Sequence, residues 1–214
     1  MISLILLSAG EGRRFGRKKQ FENLLGKPLF MHVLERLFGK FDETLLVLSP
    51  EDMDRVRLPR EVKRVKGGRE RQDSVFNALL ESQGEIVVIH DCARPFASQD
   101  LFQKVIQLGD YHGKITAIPV RDTIKRVFHG MVVETVDRSG LWLAQTPQAF
   151  KRRILLECHF RSREEGFFGT DDAVLLERYG YKVGIVEGSP MNIKITYPED
   201  MLLAEAIGKL LGYS

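Results

Sequence analysis

Residues 4–20 read LILLSAGEGRRFGRKKQ, and this run constrains the chain more than any other. An apolar, β-rich stretch stops at Ser8, Ala9 and Gly10. Gly12 then precedes Arg13, Arg14, Arg17, Lys18 and Lys19. Glycines let a backbone bend tightly and bring its N–H groups close to an anion, and cations just downstream can neutralise a polyphosphate. The order therefore points to a phosphate-binding loop leaving a buried first strand. The plainer alternative is a glycine turn with a solvated basic face.

Two better-known glycine motifs fail. The dinucleotide fingerprint G-x-G-x-x-G, counted from Gly10 and Gly12, places Phe15 where its third glycine belongs. That disfavours a dinucleotide-dependent oxidoreductase. The Walker loop needs Lys and then Ser or Thr after its last glycine, whereas Gly16 is followed by Arg17 and Lys18. A net charge of +3 over 214 residues implies no nucleic-acid partner. With 43% hydrophobic and 29% charged residues the chain reads as a soluble globular protein with one α/β core. Residues 1–7 are too short to span a membrane and lack a basic leader, so no membrane association is expected. Cys92 and Cys158 form no C-x-x-C pair, which suggests neither zinc nor a disulfide framework and points to a cytoplasmic location.

Strand and helix patterns alternate along the chain. Pro28 opens an apolar-periodic helix, in which His32 reads as a satisfied packing residue. Residues 44–48 and 62–65 read as strands, and the glycine turn of GGRERQDSV precedes a helix capped by Asp73 or Ser74. Residues 85–90, EIVVIH, form the clearest buried strand. Asp91 follows at its carboxyl end, where open α/β sheets place ligand and metal groups. It can hold a divalent cation on nucleotide phosphates, or cap the turn over Ala93 and Arg94. Residues 98–108 read as a helix and 115–120 as a strand. DTIKRVF and MVVETVD, separated by His129 and Gly130, then read as a hairpin whose faces are not cleanly apolar, so it needs a partner. LWLAQTPQAF reads as a loop near the sheet edge with Trp142 as a packing residue, and 151–165 as a charged helix. A helix capped by Thr170, strands at 182–186 and 192–195, and a terminal helix from Pro198 complete the pattern, with Lys194 interrupting NIKIT.

The run SAGEGRRFG followed by KQF resembles the signature of nucleotidyltransferases that join a sugar or polyol phosphate to a nucleoside triphosphate. GGRERQDSV, HDCARPF, PVRDTIKR, TPQAF, TDDA and NIKIT resemble, within that group, the 2-C-methyl-D-erythritol 4-phosphate cytidylyltransferase family over nearly the whole chain. The resemblance implies a Rossmann-like three-layer α/β fold, with a mostly parallel sheet, a single domain over 1–214 and a protruding arm at 121–140 that embraces a second subunit. It implies transfer of the cytidylyl group of CTP to the polyol phosphate with Mg²⁺, releasing pyrophosphate. Arg14, Lys19 and Lys194 are then catalytic. Ser8, Ala9, Gly10, Gly12, Gly68, Ser74 and Asp91 bind CTP, Asp91 also holding the metal. Arg94, Arg121, Thr170 and Lys194 bind the acceptor, with Arg121 reaching into the partner of a homodimer. The family usually has a longer segment between this Arg and Lys, with Pro where Lys18 stands. Taken alone, Ser74 and the Asp171-Asp172 pair also read as helix-end devices. Ribitol-5-phosphate cytidylyltransferase resembles the chain in fold and CTP loop. A non-catalytic nucleotide-binding regulator is disfavoured because Arg14, Lys19, Asp91 and Lys194 occur together.

Overall fold

The structure, a computed structural model, describes residues 1–213; Ser214, the last residue of the domain expected over 1–214, lies outside the described residues. In chain order the elements are β1 (Ile2–Ser8), β2 (Asn23–Leu24), β3 (Lys27–Pro28), α1 (Leu29–Leu37), β4 (Glu43–Leu48), β5 (Val62–Lys66), α2 (Arg71–Glu81), β6 (Ile86–Asp91), α3 (Gln99–Ile106), β7 (Gly113–Pro119), β8 (Ile124–Phe128), β9 (Met131–Val136), β10 (Trp142–Lys151), α4 (Arg152–Glu164), α5 (Ala173–Arg178), β11 (Val183–Glu187) and α6 (Asp200–Leu210). A seven-stranded sheet runs β11-β7-β10-β6-β1-β4-β5. β10 pairs antiparallel with both of its neighbours, and every other pairing in that sheet is parallel.

Strands buried on both faces read as continuous apolar runs, and LILL of β1, LLVL of β4 and IVVI of β6 do so. Successive side chains alternate between two cores. Leu4, Leu6, Leu46, Leu48 and Val88 pack with residues of α1 and α3. Ile5, Leu45, Val47, Val87 and Ile89 pack with residues of α2, α4 and α5. A smaller cluster joins Phe15 of the glycine loop to Leu24, Leu29, Phe96, Ile195 and the α6 residues Ala204 and Ile207. The mostly parallel, three-layer α/β architecture expected from sequence is thus present, with the carboxyl ends of β1, β4 and β6 meeting at one rim. No helix among the described residues is long and apolar enough to cross a membrane.

Five local readings require correction. LWLAQTPQAF is strand β10, inside the sheet between β6 and β7, and not an edge loop. Its register shifts between Gln145 and Gln148, and that irregularity accommodates Pro147, whose missing N–H bars it from a regular central ladder. Trp142 at its start is 39% exposed and so is no core residue of this chain. Residues 192–195 form no strand. Their polar groups are drawn elsewhere, with Asn192 Nδ2 donating to Thr146 O at 2.8 Å and the Ile195 N–H donating to Ala93 O at 2.9 Å. The α2 N-cap is Glu70, in a reciprocal capping box with Asp73, so neither Asp73 nor Ser74 is the cap. Thr170 caps nothing: α5 starts later, and Asp171 Oδ1 accepts the Val174 N–H at 3.1 Å.

The hairpin is present as β8 and β9, a separate two-stranded sheet turning at His129 and Gly130. Both turn residues have positive φ, as a type I′ hairpin turn requires. A bulge places Val133 out of register, and Val127, Phe128, Met131, Val132 and Val133 are each more than half exposed.

Phe150 of β10 is fully buried against the α2/α4/α5 core, with a ring that closes over Gly113. Phe150→Ala is therefore expected to lower unfolding free energy by about 3–5 kcal/mol in urea denaturation, whereas a loss below about 1 kcal/mol would place this segment outside the core.

Candidate active site

A cleft of about 850 Å³ opens at the rim where β1, β4 and β6 end. Its floor includes Ser8, Ala9, Gly10 and Gly12. Gly12 has φ +67°, and a Cβ there would overlap the Arg17 carbonyl oxygen, so the loop closes only with glycine. Phe15 and Gly16 donate backbone N–H bonds back to the Gly12 carbonyl at 2.8 and 2.9 Å, completing the turn. Gly67 meets this loop from the other side, where a Cβ would clash with Ala9 Cβ. The Gly68 N–H donates to Ser74 Oγ at 3.0 Å, and that hydroxyl donates to Glu70 O at 3.2 Å. Ser74 thus shapes the second glycine loop.

Four sequence-selected charged groups converge on this cleft: Arg14, Lys19, Asp91 and Lys194 all line it. Lys194 Nζ donates to Asp91 Oδ2 at 2.5 Å. Lys19 is half-buried, and its pKa is lowered to about 8, first by burial and then by Lys194 and Arg14, with Asp91 opposing. Three cations around one carboxylate leave positive charge unmatched, and such a site attracts a polyanion.

Arg71 is a site residue that the sequence motifs do not single out. It is the first residue of α2, where a cation opposes the helix dipole, and that misplacement is the signal that it has an anionic partner. It has two: Nη1 lies 2.8 Å from Asp172 Oδ2 and Nε lies 3.3 Å from Asp91 Oδ1. Burial works against the Arg71 charge, but Asp172 and then Asp91 outweigh it and raise its pKa. The two carboxylates diverge. Burial raises Asp172 above the usual carboxylate range despite Arg71, with Asp171 adding to the shift. Asp91 is held well below that range, because Arg71 and Lys194 together overcome its burial. Asp91 is therefore a fixed anion.

A neutral relay supports this end of β6. His90 is fully buried with its pKa lowered to about 3, mainly by burial. Its Nε2–H donates to Arg94 O at 3.0 Å, and Nδ1 accepts the Thr146 hydroxyl at 3.0 Å. Thr146 Oγ1 in turn accepts the Asp91 N–H at 3.1 Å. One tautomer satisfies all three bonds, so this relay ties Asp91 to the bulge of β10.

The remaining sequence-selected acceptor residues lie outside the cleft lining. Arg94 is outside the cleft lining and donates to Asn192 O at 2.7 Å and Ala144 O at 3.4 Å, bracing the segment that carries Lys194. Arg121, at the base of the arm, and Thr170 are exposed and also outside that lining. Arg13 lines the cleft, but it is exposed and paired locally with Glu11 at 2.9 Å. His32 is buried and donates to Leu24 O at 2.6 Å, as a packing residue would. Both cysteines are free and buried; burial raises the Cys92 thiol pKa and pushes that of Cys158 up to about 11. Neither is a nucleophile at neutral pH.

The candidate protein ligand for a divalent cation is Asp91. Among the described residues no group of three or more His, Cys, Asp or Glu side chains gathers to form a protein cage. Asp91, a fixed anion facing the cleft, suits a Mg²⁺ ion that takes most of its ligands from nucleotide phosphates and water.

Comparison with known proteins gives one answer. The family model for 2-C-methyl-D-erythritol 4-phosphate cytidylyltransferase, IspD, matches residues 2–209. The enzyme of that name from Aquifex aeolicus strain VF5 is 59% identical over 212 residues, covering 99% of this chain and 98% of that one. Its namesake from Bacillus mycoides strain KBAB4 is 44% identical, covering 96% and 97%. Among solved structures, the cytidylyltransferase from Thermus thermophilus superposes with a TM-score of 0.83 at 32% identity, covering 96% of this chain and 98% of that one. The 4-diphosphocytidyl-2C-methyl-D-erythritol synthase from Anaerococcus prevotii DSM 20548 gives 0.86 at 32%, covering 98% and 96%. With the glycine cradle and its ring of cations in place, the chain belongs to the 2-C-methyl-D-erythritol 4-phosphate cytidylyltransferase family, an enzyme that transfers the cytidylyl group of CTP to that polyol phosphate in isoprenoid synthesis.

Proposed function

We propose that the cleft carries out this transfer by electrostatics alone, with no protein nucleophile or general base. The observation that carries the reading is the convergence of Arg14, Lys19 and Lys194 on the glycine cradle, where burial first, and then Lys194 and Arg14, lower the pKa of Lys19 to about 8. The acceptor needs no activation, because a phosphate monoester is ionised at neutral pH. Its oxygen attacks the α-phosphorus of CTP, a new P–O bond forms, and the bond to the departing pyrophosphate breaks. Negative charge grows on the α-phosphate oxygens and the leaving group, so cations fixed there before reaction lower the barrier.

In this reading Ser8, Ala9, Gly10 and Gly12 seat the triphosphate, and Gly68 and Ser74 frame the base and ribose. Arg14 and Lys19 stabilise the transferring phosphate, while Lys194 leaves Asp91 to bridge phosphates. Asp91 holds Mg²⁺, which screens the triphosphate charge when bound. Lys19→Ala is expected to lower kcat on the order of 100-fold to 1000-fold.

The acceptor site is completed by a second copy. The exposed apolar hairpin supports its use as a dimer arm over 121–140, and Arg121, exposed and outside the lining of its own cleft, fits a role in the partner's site. Thr170 and the partner subunit's Arg121 then hold the polyol phosphate, and Arg94 acts through the segment it braces. We read 1–214 as one nucleotidyltransferase domain working in the cytoplasm.

The direct test is pyrophosphate release with Mg²⁺, CTP and 2-C-methyl-D-erythritol 4-phosphate, compared with ATP, GTP, UTP and ribitol 5-phosphate. Turnover is expected with the first pair alone; turnover with ribitol 5-phosphate instead would reassign the acceptor. The ammonium form of Lys19 is the working one, so kcat/KM for CTP is expected to fall as pH rises through about 8. kcat should fall less, because bound triphosphate favours the ammonium, and Lys19→Arg should remove the alkaline limb. A profile unchanged by Lys19→Arg would exclude Lys19 as its source. For the dimer, mixing inactive Arg121→Ala and Lys19→Ala proteins should restore activity once subunits exchange, and no recovery after demonstrated exchange would count against an Arg121 acting across the interface.

A further inference from the structure

Lys18 lines the cleft beside Lys19, yet its ammonium is committed elsewhere. It donates to Ser49 Oγ at 3.0 Å, Glu51 Oε2 at 2.9 Å and Asp52 Oδ2 at 2.8 Å. An ammonium has three donors, so none remains for a phosphate. The receiving turn, just after β4, is built to take it. Asp52 has a carboxylate only 5% exposed, which also accepts the Ser49 hydroxyl at 2.5 Å, while its backbone N–H bonds to Ser49 O at 3.0 Å. Burial alone would raise the Asp52 pKa; Lys18 and Ser49 hold it below the usual range. Arg17, one residue earlier, pairs within its own loop with Glu22 at 2.6 Å. Lys18 instead ties that loop to the rim of the sheet, across 31 to 34 residues of sequence.

We propose that Lys18 is a positioning residue, a latch that fixes the glycine loop to the turn after β4 so that Arg14 and Lys19 are aimed before the nucleotide arrives. This rests on the assignment of Arg14 and Lys19 to the triphosphate. Misplacing a reacting group by about 1 Å can cost about 100-fold in rate, and loss of the latch permits displacement of that order.

The experiment compares Lys18→Met, Asp52→Asn and the double variant, with kcat/KM for CTP expressed per folded molecule after circular dichroism and hydrogen exchange. Each single variant is expected to lose about 10-fold to 100-fold, with faster amide exchange over residues 12–19. The double variant leaves neither charge stranded and should still be impaired, no worse than the poorer single. Recovery of activity in the double variant would mean that only a stranded charge had mattered, and would overturn the latch. Normal activity in Asp52→Asn with loss in Lys18→Met would make Lys18 a direct phosphate ligand and also overturn it. Lys19→Ala in parallel separates the two readings. If it is fully active, the site assignment fails, and the exchange rates alone decide whether the loop was latched.

Discussion

Arg71 is clasped between Asp91 and Asp172, and the geometry of the site descends from that clasp. One guanidinium joins the start of α2, the end of β6 and the turn that leads into α5. Its planar fork can serve two carboxylates at fixed angles, which a lysine cannot do. Asp172, 1% exposed, would be an unpaired buried charge without it. Asp91 would keep Lys194 but lose its second anchor.

A consequence is a division of labour among charges. Asp91, pinned as an anion from both sides, holds Lys194 over the cleft, and Lys194 adds to the burial that depresses Lys19. The cations are thus partly matched against one another before any nucleotide is present, and an incoming triphosphate relieves their mutual repulsion. Uncharged groups keep this arrangement steady: His90 stays neutral far below physiological pH, so its bonds to Thr146 and Arg94 do not switch as the lysines titrate.

Much of this was legible in the sequence because it is local. The apolar runs of β1, β4 and β6 declare buried strands, Gly12, Gly67 and Gly68 mark places where a Cβ cannot fit, and Asp91 announces itself at a strand end. What escaped is what distance in the chain conceals. TPQA reads as a loop because proline argues against a central strand, and only the bulge at Gln145 and Gln148 makes room for it. Asn192 to Ile195 has a strand's pattern, but its bonds go to Ala93 and Thr146 and not to a neighbouring ladder. Arg71 sits inside a motif whose glycines draw attention first, and both of its partners lie at least 20 residues away. Lys18 looks like one more member of a basic run until Asp52 is seen beneath it.

The most direct measurement of the central clasp is the unfolding free energy of Arg71→Met as a function of pH. Removing one member of a buried ion pair costs about 3–5 kcal/mol, and a loss of about 3 kcal/mol is expected at pH 7 with Arg71 partly exposed. Asp172 has a raised pKa in the folded state, so protonation favours the folded chain and the deficit should shrink as pH falls through that raised value. A deficit below about 0.5 kcal/mol, as for an ordinary surface substitution, or one that grows towards acid, would contradict the account.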